Sequence, residues 1–97
     1  MIDWDEPVLS KDDVLESAIF GKQVEIFLSS DVGRYLTQFA DRKVYEATDA
    51  LTRVSPWRRR KITELQNTIL LWKGFRLRLA EALTDGEQAV KLLEDAQ

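Results

Sequence analysis

The sequence predicts an all-α protein, a long antiparallel helical hairpin with one or two shorter helices before it and a short helix after it. Three observations lead there. Ile62, Leu65, Ile69, Trp72, Arg76, Leu79 and Leu83 alternate steps of three and four, and the count continues through Gly86, Val90 and Leu93. That is a coiled-coil-like a/d series, interrupted in its apolar character at Arg76 and Gly86. A second helical stripe runs through Leu36, Ala40, Val44, Ala47, Leu51 and Val54, with Tyr35, Phe39 and Ala50 widening the apolar face. Ser55-Pro56 stands between the two stripes. A serine at the N-cap followed by proline at the first helical position is a start signal, and so short a connection forces the two long helices to lie antiparallel.

Taken in chain order, residues 1–9 hold Pro7 and three acids without helical period, which reads as an extended acidic arm. Trp4, with Val8 and Leu9, gives that arm something to dock. Ser10 then offers an N-cap, with Asp13 as its capping-box partner and Asp12 in the first turn, where the helix dipole favours an anion. Val14, Leu15, Ala18, Ile19, Val24, Phe27 and Leu28 follow at helical spacing, giving a helix over about 11–28. Gly21 either breaks it or marks a close contact. Ser29-Ser30-Asp31 is a cluster of capping residues at which the chain reverses or kinks. The two long helices are expected over about 32–54 and 56–83. Thr84-Asp85-Gly86-Glu87 fits a break followed by a recapped helix over 85–95, with Thr84 as N-cap and Glu87 reaching back to it.

The third helix has a side stripe at Leu71, Phe75, Arg78 and Ala82, with Leu70 and Leu77 lying beside it. So much apolar surface calls for two neighbours, from this chain or from another copy. A chain of 97 residues buries a modest core, so self-association is expected to supply part of its stability.

Composition narrows the function classes. The chain has no cysteine and no histidine. It therefore lacks a disulfide framework, a thiolate metal site, the commonest general base and the commonest metal ligand. Its acidic opening, MIDWDEPVLSKDD, is unlike a secretory signal or transit peptide, and its apolar runs fall far short of the roughly 20 residues that span a bilayer. A cytoplasmic setting is expected. Gly21-Lys22 lacks the glycine spacing and following hydroxyl of a phosphate loop, and the paired acids Asp12-Asp13 sit at a cap. No catalytic, cofactor-binding or metal-binding residue is assigned, and no membrane or small-molecule partner.

The net charge of −3 conceals a segregation. Residues 1–31 carry eight acids and two bases, residues 32–79 eleven bases and four acids, and residues 80–97 five acids and one base. A chain sorted in this way folds its acidic ends against its basic middle, pairs head-to-tail with copies of itself, or binds a polyanion.

The candidate interface residues follow from these patterns. Arg58, Arg59, Arg60 and Lys61 open a helix whose dipole disfavours cations there, so they are expected to pair with the acidic arm or tail of this chain or the next. The alternative is a phosphate grip with Trp57 stacking on bases, although the acidic overall balance speaks against a dedicated DNA binder. Trp57 and Trp72 read as core or hairpin-end anchors, and Trp4 as an interface anchor. Arg76 interrupts the a/d seam and is expected to pair with Glu46 or Asp49, or to carry its charge out to solvent on its long stem.

Phe27-Leu28-Ser29-Ser30-Asp31-Val32-Gly33-Arg34-Tyr35-Leu36, with Ala47, Leu51, Ser55-Pro56, Leu65-Gln66, Ile69, Trp72, Gly86 and Ala89, resembles small helical-hairpin proteins of tailed bacteriophages and prophages. In those, a short helix leads through a similar Ser-x-x-Gly-x-Tyr-Leu turn into the hairpin. The resemblance covers about residues 20–93 and implies an accessory or virion-assembly role in the host cytoplasm or the virion. The expectation is a non-enzymatic interaction or assembly protein that self-associates or docks on a larger protein complex. The alternatives are a nucleic-acid-associated protein using the basic middle and a small inhibitor of a host protein.

Overall fold

The computed structural model describes residues 10–96, and they form three helices: α1 (Lys11–Ser29), α2 (Asp31–Arg53) and α3 (Arg59–Asp95). No strand occurs among the described residues. The expected arm over 1–9, Trp4 included, lies outside them.

Each junction has a local cause. At the start of α1 the Ser10 hydroxyl accepts from the Asp13 amide at 3.2 Å, while the Asp13 carboxylate accepts from the Ser10 amide at 3.3 Å. This capping box satisfies two amides that the helix leaves without partners. Ser30 alone separates α1 from α2. Its extended backbone (φ −77°, ψ 160°) ends one helix, and its hydroxyl accepts from the Gly33 amide at 3.0 Å to start the next. The same hydroxyl donates to the Phe27 carbonyl, and Arg34 Nη2 donates to the Ser29 carbonyl at 2.9 Å. Gly33 is buried in this corner, where a Cβ would collide with the Phe27 carbonyl.

The expectation that Ser55 caps the third helix and Pro56 opens it is corrected. The Arg58 amide donates to the Ser55 carbonyl at 3.0 Å, so residues 55–58 form a turn with proline in its second position, and the helix begins at Arg59. Ser-Pro is as good a signature for the first half of such a turn as for a helix start. The expected break at Thr84–Gly86 is also absent. α3 runs unbroken for 37 residues, and one helix replaces the two expected over 56–83 and 85–95. Gly86 is kept helical because it is the point of closest contact with α1. Gly21, the facing residue, likewise leaves α1 continuous.

α3 is about 55 Å long at 1.5 Å per residue and sets the 59 Å long dimension of the molecule. Its a/d seam serves two partners in succession. The first half meets α2. There the Phe39 and Trp72 rings pack edge to face at 5.2 Å, Trp72 meets Phe75 at 6.0 Å, and Tyr35 stacks on Phe39 at 6.3 Å. Ala50 and Val54 share a groove with Lys61 and Leu65, so α2 runs against the direction of α3. The second half of α3 meets α1 on a face that keeps Leu79 and Gly86 of the seam and adds Ala82 and Ala89 beside it, with Val14 near Leu92 and Val24 near Leu79.

The α1–α3 contact is made by backbone. A Cβ built on Gly21 would lie 2.7 Å from the Gly86 Cα and 3.1 Å from the Ala82 carbonyl oxygen. One built on Gly86 would lie 2.8 Å from the Gly21 Cα and 3.2 Å from the Ser17 carbonyl oxygen. Small residues on both helices permit the approach, and each glycine costs about 1 kcal/mol of helix propensity that the packing offsets.

The result is a thin plate. Its third dimension is 14 Å, and its Cα radius of gyration is 18.5 Å, against about 12.5 Å for a compact domain of this length. The buried apolar residues are small, namely Val24, Ala40, Ala47 and Ala89, and no large side chain is fully buried among the described residues. Most domains bury their apolar faces between two layers. This one has a single layer.

Candidate interaction surfaces

The fold turns the charge pattern of the sequence into a spatial one. α1 carries four acids and two bases, and it packs on the part of α3 beyond Leu79, where five acids face one base. The basic residues of 32–79 occupy α2, the turn and the first half of α3. One end of the plate is therefore acidic and the other basic. The expected pairing of Arg58–Lys61 with the acidic tail of the same chain does not occur. The tail lies at the opposite end of one straight helix, about 42 Å from Arg58 to Gly86 at the helical rise.

At the basic end, Arg58, Arg59, Arg60 and Lys61 are all exposed. Lys61 Nζ lies 3.8 Å from the Glu64 carboxylate, while the three arginines have no ion-pair partner among the described residues. No side chain caps this helix start, and no acid sits in its first turn. Trp57 is 81% exposed, which corrects the expectation of a core or hairpin-end anchor. With the helix starting at Arg59, Trp57 occupies the outer corner of the 55–58 turn, where neither helix reaches over it. Trp72 does pack in the α2–α3 interface.

Arg76 pairs with Asp41, Nε to Oδ1 at 3.0 Å, and not with Glu46 or Asp49. The reason is distance along the helices. Two helices lying side by side back from the 55–58 turn bring together residues about equally far from it, and Glu46 and Asp49 lie well short of Arg76 on that scale. Both partners are largely exposed, at 43% and 60%, so the pair adds at most about 1 kcal/mol.

Large apolar side chains remain on the surface of every helix. On α1, Leu15, Ile19 and Ile26 form a stripe on the side away from Gly21 and Val24, so this helix is apolar on two opposite faces. On α3, Leu70, Leu71 and Leu77 are exposed outside the seam, at 70%, 65% and 59%. Sequence reading placed Leu70 and Leu77 to one side without assigning them a role. The 4-3 step through Gly74 that joins them is the signal, and it is masked by the stronger seam on the other side of the helix.

The described clefts are shallow. The groove along the Gly21–Gly86 crossing, about 220 Å³, is lined by Ala18, Leu83 and Val90 and rimmed by Glu25 and Glu87. No group of three or more acidic residues that could hold a metal ion occurs among the described residues, and no described helix is long and apolar enough to cross a membrane. Comparison with protein families, curated proteins and solved structures gives no match. The surfaces themselves must carry the functional reading.

Proposed function

We propose that this chain is a non-enzymatic interaction or assembly protein, one subunit of a homo-oligomer or of a larger protein complex, in which the hairpin of α2 and α3 is the rigid element. The observation that carries the reading is the uncovered apolar surface of a one-layer plate. A monomer of 11.2 kDa is expected to expose about 5,700 Å². This chain exposes 8152 Å², polar and apolar surface together, roughly 2,500 Å² more than that scaling, where an obligate interface takes about 1,000–2,500 Å² from each partner. Exposed apolar surface that is contiguous along helix faces marks sites of association. The phage-type, virion or host-cytoplasm setting rests on the sequence resemblance.

Light scattering on the isolated chain tests the reading. The expected result is a mass that is a multiple of 11.2 kDa and falls on dilution. A strict monomer at high concentration that also captures no protein partner would remove it. A second reading, polyanion binding, is favoured by Trp57 standing exposed beside three arginines without described partners. Salt-dependent retention on a phosphate polymer, lost in Arg58→Glu/Arg59→Glu/Arg60→Glu, supports it; no retention at low salt removes it.

A further inference from the structure

We propose that two copies of this chain pair antiparallel across the outer face of α3, with Gly74 on the two-fold axis and the basic end of each copy against the acidic end of the other. This deepens the subunit reading and rests on it.

The face is built from three residues. Leu70, Gly74 and Leu77 follow at steps of four and three, on the side of α3 turned away from Trp72 and the rest of the seam. Both leucines are exposed, and a Cβ at Gly74 would meet nothing within 4 Å. Nothing among the described residues therefore requires a glycine there, although glycine in a helix interior costs about 1 kcal/mol relative to alanine. Gly21 and Gly86, in the α1–α3 contact, show what a glycine inside a helix does here: they let two backbones touch. Gly74 between two exposed leucines offers the same contact to a second α3.

The charge layout selects the second copy and the direction. In a two-fold antiparallel pair, residues equidistant from the axis face each other. With Gly74 on the axis, Leu70 of one copy comes beside Leu77 of the other. Asn67 comes beside Glu81, Thr63 beside Asp85, and Arg59 and Arg60 reach Asp85 from the next turn. All of these charged residues are exposed. On α3 three cations and one acid lie before Leu70, and five acids and two cations after Leu77, so the two arms of one helix carry opposite net charge about Gly74. A parallel pair would set basic end on basic end, which like-charge repulsion opposes. One side of a standard interface buries about 800 Å², well within the excess surface of this chain.

Two experiments on the full chain test the proposal. The chain has no cysteine, so Gly74→Cys introduces a lone thiol on the proposed axis. Mild oxidation should convert it to a disulfide-linked dimer, whereas Tyr45→Cys, at an exposed site on α2, should stay uncross-linked. Arg60→Glu and Asp85→Arg should each weaken self-association roughly tenfold, and the double variant should recover to within about threefold. Within one chain these residues lie about 38 Å apart on one helix, so recovery reports contact between copies. If the chain self-associates while Gly74→Cys resists cross-linking and the double variant does not recover, this face and register are wrong and the subunit reading survives. If the chain is monomeric at every concentration, this pairing is wrong, and the subunit reading falls with it only when the chain also captures no protein partner. If Arg60→Glu loses retention on a phosphate polymer and self-associates normally, the basic run serves a polyanion and the proposed register is overturned.

Discussion

Replacing Gly21 by alanine tests the packing of this plate at its tightest point. In an ordinary exposed helix the change stabilises by about 1 kcal/mol, because glycine is the more flexible residue in the unfolded chain. Here the new methyl would lie 2.7 Å from the Gly86 Cα and 3.1 Å from the Ala82 carbonyl oxygen. Carbon atoms pack at about 3.5–4.0 Å, so the two helices must separate by about 1 Å. Both obstacles are backbone atoms of a continuous helix, so neither can rotate aside. Overpacking of this kind costs about 1–3 kcal/mol, which leaves a net loss of up to about 2 kcal/mol after the propensity gain. Gly74→Ala is the matched control, since its methyl meets nothing within 4 Å and the full gain is expected. Urea unfolding followed by helical circular dichroism, in samples dilute enough that self-association plays no part, gives both values. At this size 1 kcal/mol moves the midpoint of thermal unfolding by about 4–8 °C, so the two variants should shift in opposite directions. If Gly21→Ala stabilises as much as Gly74→Ala, α1 and α3 are not in backbone contact and the account of the fold is wrong at its centre.

Three further outcomes follow from particular contacts. Trp72→Ala should cost about 2–4 kcal/mol, and a double-mutant cycle with Phe39→Ala should give a coupling of about 0.5–1.5 kcal/mol, because the two rings meet edge to face at 5.2 Å. Ser10→Ala should cost about 1 kcal/mol and speed amide exchange in the first turn of α1, since it removes one half of the capping box. Trp57→Ala should leave stability within about 0.5 kcal/mol, and its loss should remove a fluorescence component readily quenched by iodide, as expected for an indole that is 81% exposed. An unfolding free energy lowered by several kcal/mol in that variant would mean that the 55–58 turn packs differently.

The helices and their facing sides were legible because their signals are periodic. The stripe of α2 and the a/d series of α3 each repeat over several turns, and the Ser10 capping box is a local signature with one geometric solution. The ends of elements were harder to read. Ser55-Pro56 is compatible with a turn or with a helix start, and the choice depends on how the α2–α3 packing draws the chain in. Asp85-Gly86 reads as a break unless it is known that Gly21 stands opposite it, a pairing between residues 65 positions apart that no local pattern encodes. The charge segregation was legible as a list of residues. Its spatial meaning, an acidic end and a basic end, depended on α1 docking at the far end of α3 and away from the basic turn. For the same reason Arg76 finds Asp41, whose place opposite it is set by the distance of each from the turn.

Sedimentation equilibrium of the wild-type chain across concentration, at low and at high salt, tests most directly the claim that copies of this plate associate with each other. The account predicts a mass that rises from 11.2 kDa to a multiple of it as concentration increases. It also predicts that high salt moves the transition to higher concentration, because screening weakens attraction between the acidic and basic ends. A mass that stays at 11.2 kDa under every condition would contradict it.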